Sequence, residues 1–84
     1  MENKVLVNIY IPFLEKKYEV FLPVNKKLGE ITYLIAKALN DVTGGYYTYK
    51  GVERLYARTN GKEYNLNEIL KHTNIRNGTD LVFM

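Results

Sequence analysis

Arg54-Leu55-Tyr56-Ala57-Arg58 sets a tyrosine between two arginines at a spacing of two, so in an extended strand all three side chains leave the same face. Tyrosine and arginine are the side chains most enriched where proteins bind one another, and the chemistry they offer is recognition: aromatic packing, hydrogen bonding and ion pairing. Bond-making chemistry has little to start from. The chain holds no cysteine, no serine and a single histidine, His72, which removes disulfides, thiolate nucleophiles, cysteine–zinc sites and the usual nucleophile–base–acid triads. A lone histidine beside a short helix reads as a surface or half-buried residue with no chemistry. None of the nine carboxylates falls beside a candidate acid, base or nucleophile in a recognisable pattern. Glycine-rich phosphate loops of the Gly-x-Gly-x-x-Gly or Gly-Lys-Ser/Thr kind are absent from the sequence. The expectation is a protein that is not an enzyme and carries no cofactor or metal.

Eight tyrosines in 84 residues is a high share, and an aromatic ring with a polar tip suits interfaces as well as core edges. Tyr18 and Tyr64, at strand ends, are expected to cap the core, and Tyr46, Tyr47 and Tyr49 to fold over a sheet edge. The sharper candidate is the sheet face turned away from the helix, to which strand alternation sends Leu6, Tyr10, Phe21, Tyr56 and Val82, interspersed with Asn8, Arg54 and Arg58. A contiguous apolar patch on such a face marks a binding surface. The helix face and the Tyr46–Tyr49 loop remain open as alternatives. Twelve basic residues are spread from Lys4 to Arg76 with a net charge of +3, which reads as a solvated surface before a nucleic-acid groove. A nucleic-acid module would use Arg54, Arg58 and exposed tyrosines for phosphate contact and base stacking.

The elements that must position these residues follow from periodicity. Val5, Val7, Ile9 and Ile11 alternate with Leu6, Asn8 and Tyr10, predicting a strand over residues 4 to 12. Leu14 to Lys17 reads as a polar reversal, and Val20, Leu22 and Val24 form the second arm of a hairpin, with Pro23 at a strand end where its missing N–H is cheap. From Lys27 the period changes: Leu28, Ile31, Ile35, Ala38, Leu39 and Val42 share one stripe of an amphipathic helix, with Asn25 as its N-cap and Glu30, Tyr33, Lys37 and Asp41 opposite. Gly44-Gly45, the only diglycine, terminates that helix. A third strand runs from Glu53 to Arg58 with Leu55 and Ala57 inward, and Asn60-Gly61 turns it into a short fourth at Glu63 and Tyr64. Asn65 and Glu68 are spaced as a capping box before a helical turn through Ile69 and Leu70. Asn77-Gly78 then leads into a last strand, with Leu81 and Phe83 inward, that returns to the middle of the sheet.

At this length the sequence predicts one domain over residues 1–84, folded around one core. Hydrophobic residues at 46% and charged residues at 25% are ordinary for soluble globular proteins. No stretch approaches a membrane span and the first residues lack a signal-peptide core, so a cytoplasmic location is expected.

Strand, strand, helix, strand, strand, short helix, strand, together with Arg54-Leu55-Tyr56, the Asn60-Gly61-Lys62 turn, Leu66, Ile69, and Ile75 through Gly78 to Leu81, resembles ubiquitin over nearly the whole chain. Leu22-Pro23-Val24-Asn25-Lys26-Lys27 feeding Leu28-Gly29-Glu30-Ile31, Leu55 to Arg58 with Gly61 to Tyr64, and Ile75 to Leu81 are similar to the YukD-like family, small bacterial ubiquitin-like proteins associated with type VII (ESX/WXG) secretion systems. The resemblance implies an α+β, ubiquitin-like β-grasp: a mixed sheet of four to five strands packed on one amphipathic helix. It also implies a protein partner, with a component of such a secretion system as the candidate, and places Tyr56 at ubiquitin's central apolar contact position. A sequence that closes on Leu81-Val82-Phe83-Met84, without a diglycine tail, points away from covalent conjugation and sulfur carriage.

Overall fold

A computed structural model describes residues 3–84. Two eight-residue strands, β1 (Lys4–Ile11) and β2 (Lys16–Pro23), form an antiparallel hairpin in the register Val5↔Leu22, Val7↔Val20, Ile9↔Tyr18. A fifteen-residue helix, α1 (Leu28–Val42), follows, then short β3 (Leu55–Ala57), a 3-10 turn (Leu70–His72) and β4 (Asp80–Phe83). The sheet order is β2-β1-β4-β3, with β4 parallel to β1 and antiparallel to β3. The last strand thus occupies the middle of the sheet, as its alternation requires: Leu81 and Phe83 are at most 1% exposed and share the core with Val7, Ile9 and Leu55 of the sheet and Ile31 of the helix.

The hairpin turn is tighter than its polar residues suggested. Pro12–Glu15 makes it, with the Glu15 N–H on the Pro12 carbonyl at 3.0 Å and Glu15 itself at φ 52°, so Lys16 and Lys17 already belong to β2. The fourth strand expected at Glu63 and Tyr64 shrinks to a single bridge, Tyr56↔Glu63, flanked by the bonds Ala57 N–H to Lys62 O (2.9 Å) and Tyr64 N–H to Leu55 O (2.9 Å). Pairing stops there because the Asn65 Oδ1 accepts the Asn67 N–H at 2.9 Å and bends the chain away. That turn replaces the expected capping box. Ile69 stays extended, bridged to Lys27, and the helical turn starts one residue later.

Neither Asn25 nor any side chain caps α1; the N-cap is Lys27, with no side-chain cap bond. The orphan N–H groups of the first turn are instead met by carbonyls from far along the chain, Leu28 N–H on Glu68 O at 2.9 Å and Gly29 N–H on Leu66 O at 2.8 Å. Gly29 fits this contact because a Cβ there would sit 3.3 Å from the Leu66 carbonyl oxygen. At the other end Gly44 (φ 63°) and Gly45 (φ 88°) terminate the helix as expected, with Gly45 N–H reaching back to Asn40 O at 2.8 Å.

The buried stripe of α1 is Leu28, Ile31, Thr32, Ile35, Ala36 and Leu39. Ala38 and Val42, expected inside, are exposed, Val42 by 65%. The helix is rolled so that Thr32 and Ala36 meet the sheet, the Thr32 hydroxyl being satisfied by the Gly29 carbonyl at 2.7 Å. Leu34, Ala38 and Val42 consequently overhang the side of the molecule where the sheet ends at β2.

Candidate protein-binding site

The face of the sheet opposite α1 is built from the alternate residues of four strands. Register places Tyr10 directly across from Val82, and Val82 directly across from Tyr56. One row of aromatic, aliphatic and aromatic side chains therefore crosses β1, β4 and β3, with Lys17 and Glu63 at its two ends. Arg58 lays its guanidinium over the Tyr10 ring at 4.6 Å from the centroid, a cation–π contact joining β1 to the turn that follows β3. Arg54 is held at the rim: its Nη1 donates to the Glu53 carbonyl at 3.0 Å, and its Nε lies 3.5 Å from Glu63 Oε2. With both side chains of that ion pair substantially solvated, it orients Arg54 more than it stabilises the fold.

Five of the seven candidate residues, Tyr10, Arg54, Tyr56, Arg58 and Val82, thus come together. Leu6 and Phe21 do not join them. They pair with each other across β1 and β2, beyond a polar row in which Asn8 faces Glu19 on one side and Asp80 on the other. Four residues of strand separate Leu6 from Tyr10, about 13 Å. The face therefore carries two patches, an aromatic–arginine one and a smaller Leu6/Phe21 one, and Phe21 is 53% exposed.

A second aromatic cluster lies at the hairpin-turn end. Phe13, 60% exposed, stacks on Tyr46 with centroids 5.8 Å apart and planes 19° apart, and meets Tyr47 edge-on. The Lys50 ammonium sits 4.7 Å from the Tyr47 ring centroid. Phe13 carried no periodic signal because it sits in the turn itself. Tyr47, by contrast, is buried, and its hydroxyl donates to Glu53 Oε2 at 2.8 Å. The same carboxylate oxygen accepts the Lys50 N–H at 2.8 Å, while Oε1 has no hydrogen-bond partner. Burial pushes the Glu53 carboxyl up, but the Lys50 N–H, the Tyr47 hydroxyl and the nearby backbone N–H groups of Glu53 and Gly51 outweigh it and hold it below the usual range. Burial, with the Glu53 carboxylate beside it, drives the Tyr47 hydroxyl far above its ordinary value. The pair latches the loop onto the sheet and faces inward.

Among the described residues no three His, Asp or Glu side chains cluster to hold a metal, and no helix is long and apolar enough to cross a membrane. His72 is exposed.

No family model and no curated protein matches this chain. Solved structures do. The EccD5 ubiquitin-like domain from Mycobacterium xenopi superposes with a TM-score of 0.76 at 15% identity, covering 96% of this chain and 92% of that one. The chain has the ubiquitin-like β-grasp fold. A chain of the MycP5-free ESX-5 inner membrane complex gives a TM-score of 0.77 at 16% identity, covering 98% of this chain, which spans only 21% of that one. A structure of the toluene 4-monooxygenase HD complex with 4-bromobenzoate gives 0.77 at 10% identity over 95% of both chains. At these identities the likeness establishes the β-grasp architecture, one helix on a four-stranded mixed sheet, and nothing about activity.

Proposed function

We propose that this β-grasp chain is a non-enzymatic protein-interaction module, an accessory or regulator of a bacterial type VII secretion system, acting in the cytoplasm through non-covalent contact with a protein partner. Likeness to the EccD5 ubiquitin-like domain and to a chain of the ESX-5 inner membrane complex supports the secretion context. The observation that carries the binding role is the Tyr10–Val82–Tyr56 row with Arg58 stacked on Tyr10. Two ring faces, an aliphatic centre and two guanidinium groups give a partner an apolar anchor surrounded by directional donors. Leu6 and Phe21 supply a flanking contact.

Tyr56→Ala is expected to weaken the partner's affinity by about 1 to 3 kcal/mol while leaving the thermal melt nearly unchanged, because Tyr56 is only half-buried and its ring is not part of the core. Charge reversal at Arg54 and Arg58 acts mainly on the association rate and fades at high salt. A partner is obtained by pull-down from the native cytosol and titrated against each variant by calorimetry. Lys37→Glu, on the exposed side of α1, is the control. Should the partner ignore Tyr56→Ala yet lose affinity for Lys37→Glu, the functional surface is the helix and the assignment is wrong.

A further inference from the structure

A groove of about 460 Å³ runs between β2 and the overhanging side of α1, inside the range of roughly 300 to 1,000 Å³ in which proteins hold small ligands. Val20 and Leu22 form one wall, Leu34, Ala38 and Val42 form the other, and Ile35 reaches into it from the core. Ala38 and Val42, which periodicity placed inside, are left apolar and exposed here by the roll of α1.

The two flanking elements give the groove its length. α1 starts shortly after β2 ends and runs back alongside it, so its far end meets the hairpin turn, where Tyr46 stacks on Phe13. From Pro23 back to Tyr18 the strand covers about 17 Å, and from Ile31 to Val42 the helix covers about 16 Å. A hydrocarbon chain can follow such a trough from end to end, whereas a compact ring system would leave most of the walls uncovered.

Charge gives the groove a direction. The charged residues that line it are two lysines, both at the Pro23 end: Lys4 pairs with Pro23 across the hairpin, and Lys26 lies just beyond it. Between the lysines and Tyr18, near the hairpin-turn end, the lining is apolar. Lys26 is bonded to Glu30 at the surface, 2.9 Å away, a solvated contact that an incoming anion can replace at little cost.

An apolar trough with cations at one end matches an amphiphile whose anionic group is terminal. We propose that the α1–β2 groove binds a long-chain fatty acid, with its hydrocarbon along Val20, Leu34 and Val42 and its carboxylate at Lys4 and Lys26. A single trough holds a single chain, which favours the free acid over a two-chain phospholipid. The carboxylate accepts charge-assisted hydrogen bonds from the two ammonium groups, and each methylene taken out of water adds to the affinity.

The test uses the full chain and sodium dodecanoate below its micelle concentration, titrated by calorimetry at low salt. Saturable one-to-one binding is expected, with the side-chain resonances of Val20, Leu34 and Val42 shifting. The melting temperature should rise, because a ligand held only by the folded state stabilises it. Affinity should climb by about two- to fourfold for each CH₂ added from octanoate to dodecanoate. Dodecyltrimethylammonium, with the same tail and a cationic head, should bind about tenfold more weakly or worse, and Lys4→Gln with Lys26→Gln should cost dodecanoate about tenfold. Leu34→Asp sets a carboxylate on the helix wall and Ala38→Trp fills the trough; each should weaken binding by about tenfold or more. Both positions are exposed and outside the sheet, so either variant keeps the test decisive if the other misfolds. Tyr56→Ala should bind dodecanoate as the parent does, so this site and the outer face stand or fall separately. Absence of saturation, shifts confined to Tyr10, Tyr56 and Val82, unchanged affinity in both Leu34→Asp and Ala38→Trp, or a melt that dodecanoate lowers would overturn the proposal. Equal binding of the cationic amphiphile would reject the carboxylate site, and binding to phosphatidylglycerol vesicles without binding to free dodecanoate would assign the groove to a membrane surface instead.

Discussion

Phe83→Ala is expected to destabilise the protein by about 3 to 5 kcal/mol, the usual cost of removing a fully buried phenylalanine from a packed core. Phe83 is 1% exposed, lies in the central strand and packs its ring 6.1 Å from that of Tyr47. A chain of 84 residues has a total stability of roughly 4 to 13 kcal/mol, so this one change uses a large part of it. Removing Thr79 to Met84 goes further. Among the described residues β4 alone joins β1 to β3, and without it β3 loses its sheet partner and β1 exposes its inner edge. Chemical denaturation followed by circular dichroism should show the Phe83→Ala midpoint well below the parent's and no cooperative transition for a chain truncated after Gly78. A truncated chain that melts like the parent would make β4 peripheral and contradict the strand order.

Tyr47→Phe is expected to cost about 1.5 to 3 kcal/mol, the range for losing a hydrogen bond to a charged group, because Glu53 then keeps a buried carboxylate with one donor fewer. The pH dependence gives an independent signature. The Glu53 carboxyl is held below its ordinary value of 4.5 in the fold, so its contribution is fully present above that value and is lost as the pH falls through the lower folded pKa. Tyr47 is shifted upward from 10.0, so its contribution is fully present below pH 10 and is lost as the pH rises toward the higher folded pKa. Melting temperatures of the parent should therefore fall more steeply on acidification below about pH 4.5 than those of Glu53→Gln, and more steeply above pH 10 than those of Tyr47→Phe. Parallel curves for parent and Glu53→Gln across the acid range would show that the carboxylate is not held in its charged form by these bonds.

Both predictions rest on residues that the sequence treated unequally. Leu81 and Phe83 were assigned to the core from alternation alone, and so was the outward direction of Tyr56, because in a strand each side chain's face is set by its immediate neighbours. The same local logic gave the hairpin arms, the helix span and its diglycine end, where Gly44 and Gly45 take the left-handed conformation that other residues avoid. Tyr47 and Glu53 gave no comparable signal. Their partnership depends on how a loop without periodicity folds back, and one ends up as buried as the core while its neighbour Tyr46 is 71% exposed.

What the sequence determined by itself was therefore what has a short period: the spans of the hairpin arms and of the long helix, which way their strand side chains and those of β3 and β4 face, and hence the membership of the outer face; the strand expected over Glu53–Arg58 holds only Leu55–Ala57 and the one at Glu63 and Tyr64 is a single bridge. Tertiary structure decided what those faces meet. Arg58 and Tyr10 lie 48 positions apart and touch because β4 bridges β1 to β3, at whose end Arg58 stands. The helix start is capped by carbonyls of Leu66 and Glu68 in place of Asn25, which a sequence window around the helix cannot contain. The roll of α1, which turned Ala38 and Val42 outward and opened the groove beside β2, follows from a sheet that ends at β2 and leaves the helix overhanging its edge. A helix stripe drawn at 3.6 residues per turn is wide enough to be read at several rotations, and only contact with the sheet selects one of them.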